Sequence, residues 1–226
     1  MKTAVLVHGY HLGTSNWDDV VWGNPAQDVY GRVPTGLREA LRLNADVIFF
    51  PTGASSQDGL LEGEYALKMA RDRILEVPEF AEWDQAKALA WLEERAVLEL
   101  KSVSTHEEVV ICAQMALDRG IERFVIVSSP THIMRCHKLA VSEFSNNPAY
   151  HKYLHALYAV ASDVSYTDST VNDVLIVEPP HRPDRHAVPI HKTLARALRH
   201  VDDPERALEL DKKLNATFDD FEDRLQ

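Results

Sequence analysis

The residues best suited to chemistry lie in a loop that follows an apolar, strand-like run, residues 128–132 with the sequence SSPTH. Its hydroxyls and free backbone amides precede a helical pattern, and a helix N-terminus of this kind suits an anion such as phosphate. Arg135 follows His132 by three residues and would share its face of that helix. A guanidinium can form two parallel hydrogen bonds to a phosphate, and an imidazole beside it can move a proton. The alternative is that Thr131 only caps the helix while His132 and Arg135 are solvated.

A second polar loop follows the third strand-like run of the chain. Glu99 lies near the end of that run, and a carboxylate in a buried strand needs a partner, for which use in a functional site is one explanation. The segment THEE that comes next predicts a helix start in which Thr105 caps an amide and Glu108 reaches back. Capping and the helix dipole by themselves account for Glu107 and Glu108.

The 11 histidines raise the question of a metal site. His8 follows the first strand-like run, His132 follows the fourth, and others lie in a Pro-rich loop at residues 178–189. None of them forms a ligand motif such as HExxH, so the sequence supports no designated metal site. The Pro-rich loop is equally typical of a stiff, partly extended lid.

Three catalytic or nucleotide-binding motifs are absent from the chain. The segment VLVHGY at residues 5–10 resembles the His-Gly segment that opens many α/β-hydrolases. Those enzymes need a GxSxG nucleophile elbow, and the nearest segment here, GAS at residues 53–55, lacks the second glycine. The chain also has no GxGxxG and no GxxxxGK[ST], which argues against a standard dinucleotide fingerprint and a P-loop.

Apolar, β-rich runs alternate with helical patterns, which predicts βαβ units and a parallel sheet covered on both faces. The predicted strands are 3–7, 47–50, 97–100, 124–127 and 157–161, with a sixth at 174–177. The predicted helices are 35–43, 61–75, 105–119, 133–144 and 190–198, with an inserted helix in 78–95 and a C-terminal helix at 203–214 before an acidic tail. No linker interrupts the chain, so residues 1–226 are expected to form one domain. The polar loops follow the carboxyl ends of the strands, where parallel sheets bind ligands.

Composition excludes several kinds of partner. The chain has 24 Lys and Arg against 35 Asp and Glu, and a net charge of −11 argues against nucleic acid or anionic lipid as the main partner. Cys112 and Cys136 fall in predicted helices without a CxxC motif, so we expect reduced core residues. The first apolar run stops at His8 after four residues, too short for a signal peptide or a membrane span. These features predict a cytoplasmic protein with a small-molecule partner, and they leave the oligomeric state open.

The succession of these segments over about residues 3–144 resembles the YdcF/SanA/ElyC-like family, a domain family of unknown function. In that family the second strand ends in a small-residue loop, matched here by Gly53, and an acidic Glu-Ala-type helix follows, matched here by Glu64. Its fourth strand leads to a Ser-x-x-His-x-x-Arg motif. That motif is matched by Ser129, His132 and Arg135.

The third strand of the family ends in Glu and leads to a Ser-x-Asn-Thr-x-Glu-Asn motif. The strand Glu is Glu99 in this chain, and three further positions match the motif: Ser102, Thr105 and Glu107. Ser104 and Glu108 stand where the family has Asn. Glu108 therefore adds a negative charge to the expected site.

The resemblance implies a Rossmann-like three-layer α/β sandwich with a mostly parallel sheet of five or six strands. It implies a soluble enzyme that hydrolyses, or transfers a group on, a small and anionic phosphorylated or nucleotide-like metabolite. The alternative is a non-catalytic module that binds a nucleotide or S-adenosylmethionine, and a divalent metal is the other cofactor to consider. The expected catalytic residues are His132, Glu107 and Glu99. The expected ligand-binding residues are Arg135, Ser129, Ser102, Thr105, Gly53, Glu64 and His8.

Overall fold

The computed structural model describes residues 1–165 together with residues 208, 209, 212 and 213. The chain divides into two compact units, Met1–Arg185 and His186–Gln226. In the second unit the four described residues are helical and exposed, and the Lys213 ammonium donates a hydrogen bond to Glu209. The predicted strand at 174–177, the Pro-rich loop at 178–189 and the predicted helix at 190–198 lie outside the described residues. A single domain over residues 1–226 stays a prediction.

Five parallel strands form the main sheet of the first unit, as the apolar runs predict, and two short antiparallel hairpins, Gly23–Asn24 with Val29–Tyr30 and Ser56–Gln57 with Leu60–Leu61, lie outside it. The five parallel strands are β1 (Thr3–Val7), β2 (Val47–Pro51), β3 (Ala96–Glu99), β4 (Arg123–Ser128) and β5 (Leu157–Ala161). Their order across the sheet is β3-β2-β1-β4-β5, and every neighbouring pair is parallel. Val5 of β1 pairs with Ile48 on one side and Val125 on the other. Because β1 and β2 are buried along their whole length, these strands are apolar on both faces.

Helices cover both faces of the sheet, so the fold is the three-layer α/β sandwich. The helices are α1 (Trp17–Val21), α2 (Arg32–Leu43), α3 (Glu62–Arg73), α4 (Gln85–Arg95), α5 (Thr105–Asp118), α6 (Pro130–Asn146) and α7 (His151–Leu154). Residues of α1 to α4 pack with one face of the strands, where Val5 and Val7 point. Residues of α5 and α6 pack with the other face, where Ala4 and Leu6 point. Successive residues of β1 therefore point alternately into two cores, as they must in a sheet that is covered on both faces.

The predicted helices exist within the described residues, but some begin elsewhere. The inserted segment is a 3₁₀ turn at Pro78–Phe80 followed by α4, whose N-cap Asp84 accepts a hydrogen bond from the Lys87 amide at 2.8 Å. The rings of Trp83 and Trp91 pack against Phe80, with centroids 5.2 and 4.9 Å away. The insertion is therefore part of the core on that face.

The strand order creates a switch point between β1 and β4. The helix that follows β1 packs on one face of the sheet and the helix that follows β4 packs on the other. The two connections leave in opposite directions, which opens a crevice beyond the carboxyl ends of these strands. The residues after β1 and β4 are therefore those that a ligand would meet. Within the described part of the chain, no helix combines the length and the apolar character needed to cross a membrane.

Candidate functional site

A buried ion pair marks the end of β1. His8 follows β1 directly, and its Nδ1 lies 2.6 Å from Oε2 of Glu108, which is in the first turn of α5. The amide of Gly9 donates to the same carboxylate oxygen at 3.4 Å. Both side chains of the pair are buried. Among the described residues, Nε2 of His8 is buried and has no hydrogen-bond partner.

The pKa of His8 determines what this imidazole can do. Burial lowers the pKa, but interactions with the sulfur of Cys136 and the carboxylate of Glu108 raise it by more, to about 10. At neutral pH the ring is therefore an imidazolium, and both of its nitrogens are donors. Glu108 takes the donor at Nδ1, and the buried donor at Nε2 has no acceptor among the described residues.

His132 supplies a second imidazole from the end of β4. It lies in the first turn of α6, where its Nδ1 is 2.9 Å from the Ser128 hydroxyl and its Nε2 is 3.3 Å from the Thr105 hydroxyl. The ring centroids of His8 and His132 are 6.0 Å apart, in an edge-to-face arrangement. The two sides of the switch point thus place two histidines next to each other.

The start of α5 differs by one residue from the predicted capping box. Ser104 is the N-cap residue, and its hydroxyl accepts a hydrogen bond from the Glu107 amide at 3.3 Å. The Glu107 carboxylate reaches back to the Val103 amide at 2.7 Å. The prediction that Thr105 and Glu108 form this box is wrong, because Ser104 has the extended backbone of a cap while Thr105 is already helical. The shift leaves Thr105 beside His132 and Glu108 beside His8.

Arg32 holds the two sides of the crevice together. Its side chain is fully buried at the first position of α2, and its Nε donates to the Ser129 hydroxyl at 2.8 Å. Its Nη1 donates to the carbonyl oxygens of His8, at 3.2 Å, and Gly9. The sequence analysis missed this residue because the predicted helix begins at residue 35, three residues after Arg32. The available signal was an arginine three residues before the predicted helix.

The first turn of α6 contains the buried hydroxyl of Thr131, which has no hydrogen-bond partner among the described residues. Ser129 occupies the N-cap position without a side-chain capping bond, so the alternative in which Thr131 caps this helix is wrong. Oγ1 of Thr131 is buried and has no hydrogen-bond partner among the described residues. Pro130 at the first helical position has no amide hydrogen to satisfy. The positive end of the helix dipole and this hydroxyl lie in the same turn.

Glu99, Ser102 and Gly53 come together in one network behind the site. The Glu99 carboxylate accepts hydrogen bonds from the Lys101 amide at 2.7 Å, the Ser102 amide at 3.0 Å and the Ser102 hydroxyl at 2.5 Å. The Gly53 amide and the Thr52 hydroxyl both donate to the Ser102 carbonyl at 3.0 Å. The network ties the loop after β2 to the loop after β3. These contacts favour a positioning role, and chemical roles for Glu99 and Glu107 stay predictions.

The start of α3 carries two carboxylates, the predicted Glu64 and its neighbour Glu62, which are held in different ways. Glu64 accepts a hydrogen bond from the Leu61 amide at 2.8 Å and so caps its own helix. Glu62 is buried at the first position of α3, and its Oε2 accepts a hydrogen bond from the Ser55 hydroxyl at 2.6 Å. The sequence offered two carboxylates two residues apart without a means of choosing between them. Arg135 lies partly exposed on α6, three residues after His132.

The described residues contain no group of three or more His, Cys, Asp or Glu arranged to hold a metal ion. The two cysteines are free and buried, as their place in predicted helices suggests. No family model, curated protein or solved structure matches this chain. The resemblance drawn from the motifs therefore stays an expectation, and function has to be argued from the site.

Proposed function

We propose that the chain is a cytoplasmic enzyme that binds a small phosphorylated or nucleotide-like metabolite at the switch point and catalyses hydrolysis or group transfer at phosphorus. The observation that carries the proposal is the buried, protonated His8, whose Nε2 donor has no partner among the described residues. A buried donor left without an acceptor is unfavourable by about 1 to 3 kcal/mol, and by more when it is charged. A phosphate oxygen would remove that penalty.

The surroundings of His8 support an anionic ligand over a cationic one. The guanidinium of Arg32 and the first turn of α6 with Thr131 are the neighbouring positive elements at the two strand ends. The carboxylate of Glu108 already serves as the partner of His8. It is thereby occupied, which weakens the alternative in which it attracts the sulfonium of S-adenosylmethionine.

The residue roles follow from these positions. His8 donates from Nε2 to a phosphate oxygen or to the leaving oxygen, as a general acid. His132 lies beside it and contacts the phosphoryl group, Ser129 and Thr131 present the N-terminus of α6, and Arg135 is the outer anion clamp. Glu108 keeps His8 charged and oriented.

The test is a thermal-shift and turnover panel of nucleotides, sugar phosphates, inorganic phosphate and S-adenosylmethionine. A ligand at about one hundred times its Kd should stabilise the fold by about 2.7 kcal/mol, or about 5 to 10 °C in Tm for a chain of this size. His8→Asn keeps a donor for Glu108 but removes Nε2, and it should abolish both the shift and turnover. His155→Asn, at an exposed histidine just before β5, is the matched control and should behave as wild type.

The panel also separates the two functional classes. A phosphate-bearing hit that is lost in His8→Asn and weakened in Arg135→Ala supports the proposal, and turnover of that hit identifies the bond. Stabilisation by S-adenosylmethionine alone, unaffected by either variant, would instead indicate the non-catalytic binding module.

A further inference from the structure

A cavity of about 310 Å³ lies between the last turns of α2 and the first residues of β4 and β5. Arg123 in its wall is the first residue of β4 and Ser128 is the last, so about 16 Å of strand separates the cavity from the candidate site. The volume is at the lower end of the range for small-molecule sites, which suits a ligand of about one ring.

Arg123 places a cation in the wall of this cavity. Its Nε is buried and has no hydrogen-bond partner among the described residues. Other arginines nearby, such as Arg38 and Arg42, pair with a carboxylate, whereas Arg123 forms no ion pair within the described part of the chain. In a chain with 35 acidic and 24 basic residues, an arginine without an acidic partner calls for an acceptor from outside the chain.

An aromatic ring and apolar side chains lie beside this guanidinium. Cζ of Arg123 is 5.8 Å from the centroid of the Tyr158 ring, and Tyr158 is 53% exposed. Val125 is the register partner of Tyr158 and so lies on the same face of the sheet, and Val160 adds to the apolar wall. A flat apolar group can pack here while its anionic end meets the guanidinium.

The other charges of the described wall favour a ligand with a single negative charge. Nε and Nη2 of Arg42 both donate to Oε2 of Glu39, at 3.1 and 2.6 Å, and this pair is neutral as a whole. A phosphate dianion would bring a second negative charge close to Glu39, which would repel it. A carboxylate matches the Arg123 guanidinium both in charge and in the geometry of two parallel hydrogen bonds.

We infer that this cavity is a second ligand site, which takes a small planar monocarboxylate such as an aromatic carboxylic acid. The carboxylate accepts hydrogen bonds from Arg123, and the ring packs on Tyr158 and Val160. The inference goes beyond the proposed function and does not depend on it, because none of the described residues of this wall belongs to the site around His8.

The test measures binding of benzoate to the full chain by isothermal titration calorimetry, with acetate and benzamide as probes that lack the ring and the charge. Benzoate should bind with a Kd at least about tenfold below that of either probe, because it alone meets both the guanidinium and the apolar wall. Arg123→Gln should raise the Kd for benzoate by at least about tenfold. Arg119→Gln is the matched control, at an exposed arginine that follows α5 on the other face of the sheet, and should leave the Kd unchanged.

Glu39→Gln covers the case in which Arg123→Gln does not fold, since Glu39 lies partly exposed on α2. It removes the negative charge beside the ligand, so the Kd for benzoate should fall by about two- to fivefold. His8→Asn should leave that Kd unchanged.

Four results would overturn the inference. They are a Kd for benzoate no lower than that for acetate or benzamide, a Kd that neither Arg123→Gln nor Glu39→Gln changes, a Kd that rises in His8→Asn, and tighter binding of inorganic phosphate than of benzoate. A rise in His8→Asn would place benzoate at the ends of β1 and β4 instead.

Discussion

The His8–Glu108 pair shows how two charged residues far apart in the chain make each other's burial possible. The buried carboxylate of Glu108 would be unfavourable by itself. The structure supplies the cation that makes it tolerable, from a position 100 residues away in the chain. The sequence showed both residues but no link between them, because local capping already explained Glu108. The pair is visible only in the folded chain, where the end of β1 lies next to the first turn of α5.

The pair predicts a specific dependence of stability on pH. The pKa of His8 is raised in the fold from its ordinary 6.5 to about 10, so its contribution is full below pH 6.5 and is lost as pH rises towards 10. Glu108→Gln should therefore lower the free energy of unfolding by about 3 to 5 kcal/mol at pH 6, since it leaves a buried charge unpaired. The deficit relative to wild type should shrink at pH 10. Urea unfolding at the two pH values measures it.

A matched control uses the exposed pair of Glu143 with His106, whose atoms are 3.3 Å apart. Glu143→Gln should change stability by less than about 1 kcal/mol at either pH, because solvent screens surface pairs. A deficit for Glu108→Gln that does not vary between pH 6 and pH 10 would contradict a charged His8.

At the scale of elements, the sequence predicted the strands better than the helix starts. Strand bounds agree to within about one residue, since a buried parallel strand is a continuous apolar run with abrupt ends. The helices α2 and α6 both begin three residues before the predicted start, and in both a proline lies within the first turn. The first turn of a helix tolerates proline, so a proline near a helical pattern does not mark a residue outside the helix. These errors concealed Arg32, which the earlier start of α2 brings into the crevice.

The start of α5 provides a prediction about an element. Ser104→Ala should lower the free energy of unfolding by about 1 kcal/mol, because it removes the hydroxyl that accepts from the Glu107 amide. Ser104→Asp is the matched variant, since Asp is also a strong N-cap residue and should restore most of the stability. Urea denaturation of both variants is the measurement. Equal losses in the two would show that the side chain of Ser104 does not cap the helix.

At the scale of the whole molecule, fold class was readable from the sequence and the pairing of elements was not. Alternating strand and helix patterns predict a sheet covered on both faces, which is confirmed. The order β3-β2-β1-β4-β5 depends on which crossovers pass over which face, and no local pattern encodes that choice. The switch point between β1 and β4, and with it the neighbouring positions of His8 and His132, follows only from this order.

The net charge of the chain predicts how kcat/KM should depend on the salt concentration. A formal charge of −11 repels a phosphate dianion at long range, while the local donors of the site attract it only at contact. Added salt shortens the Debye length from about 30 Å at 0.01 M to about 8 Å at 0.15 M, which screens the repulsion more than the buried contacts. On the proposed function, the kcat/KM for a phosphate ester should therefore rise by about twofold over this range, the opposite of the salt dependence of a protein that binds nucleic acid. Steady-state kinetics in sodium chloride measure the change, with sucrose as an uncharged control. A kcat/KM that falls with salt would mean that a positive field around the crevice outweighs the charge of the whole chain.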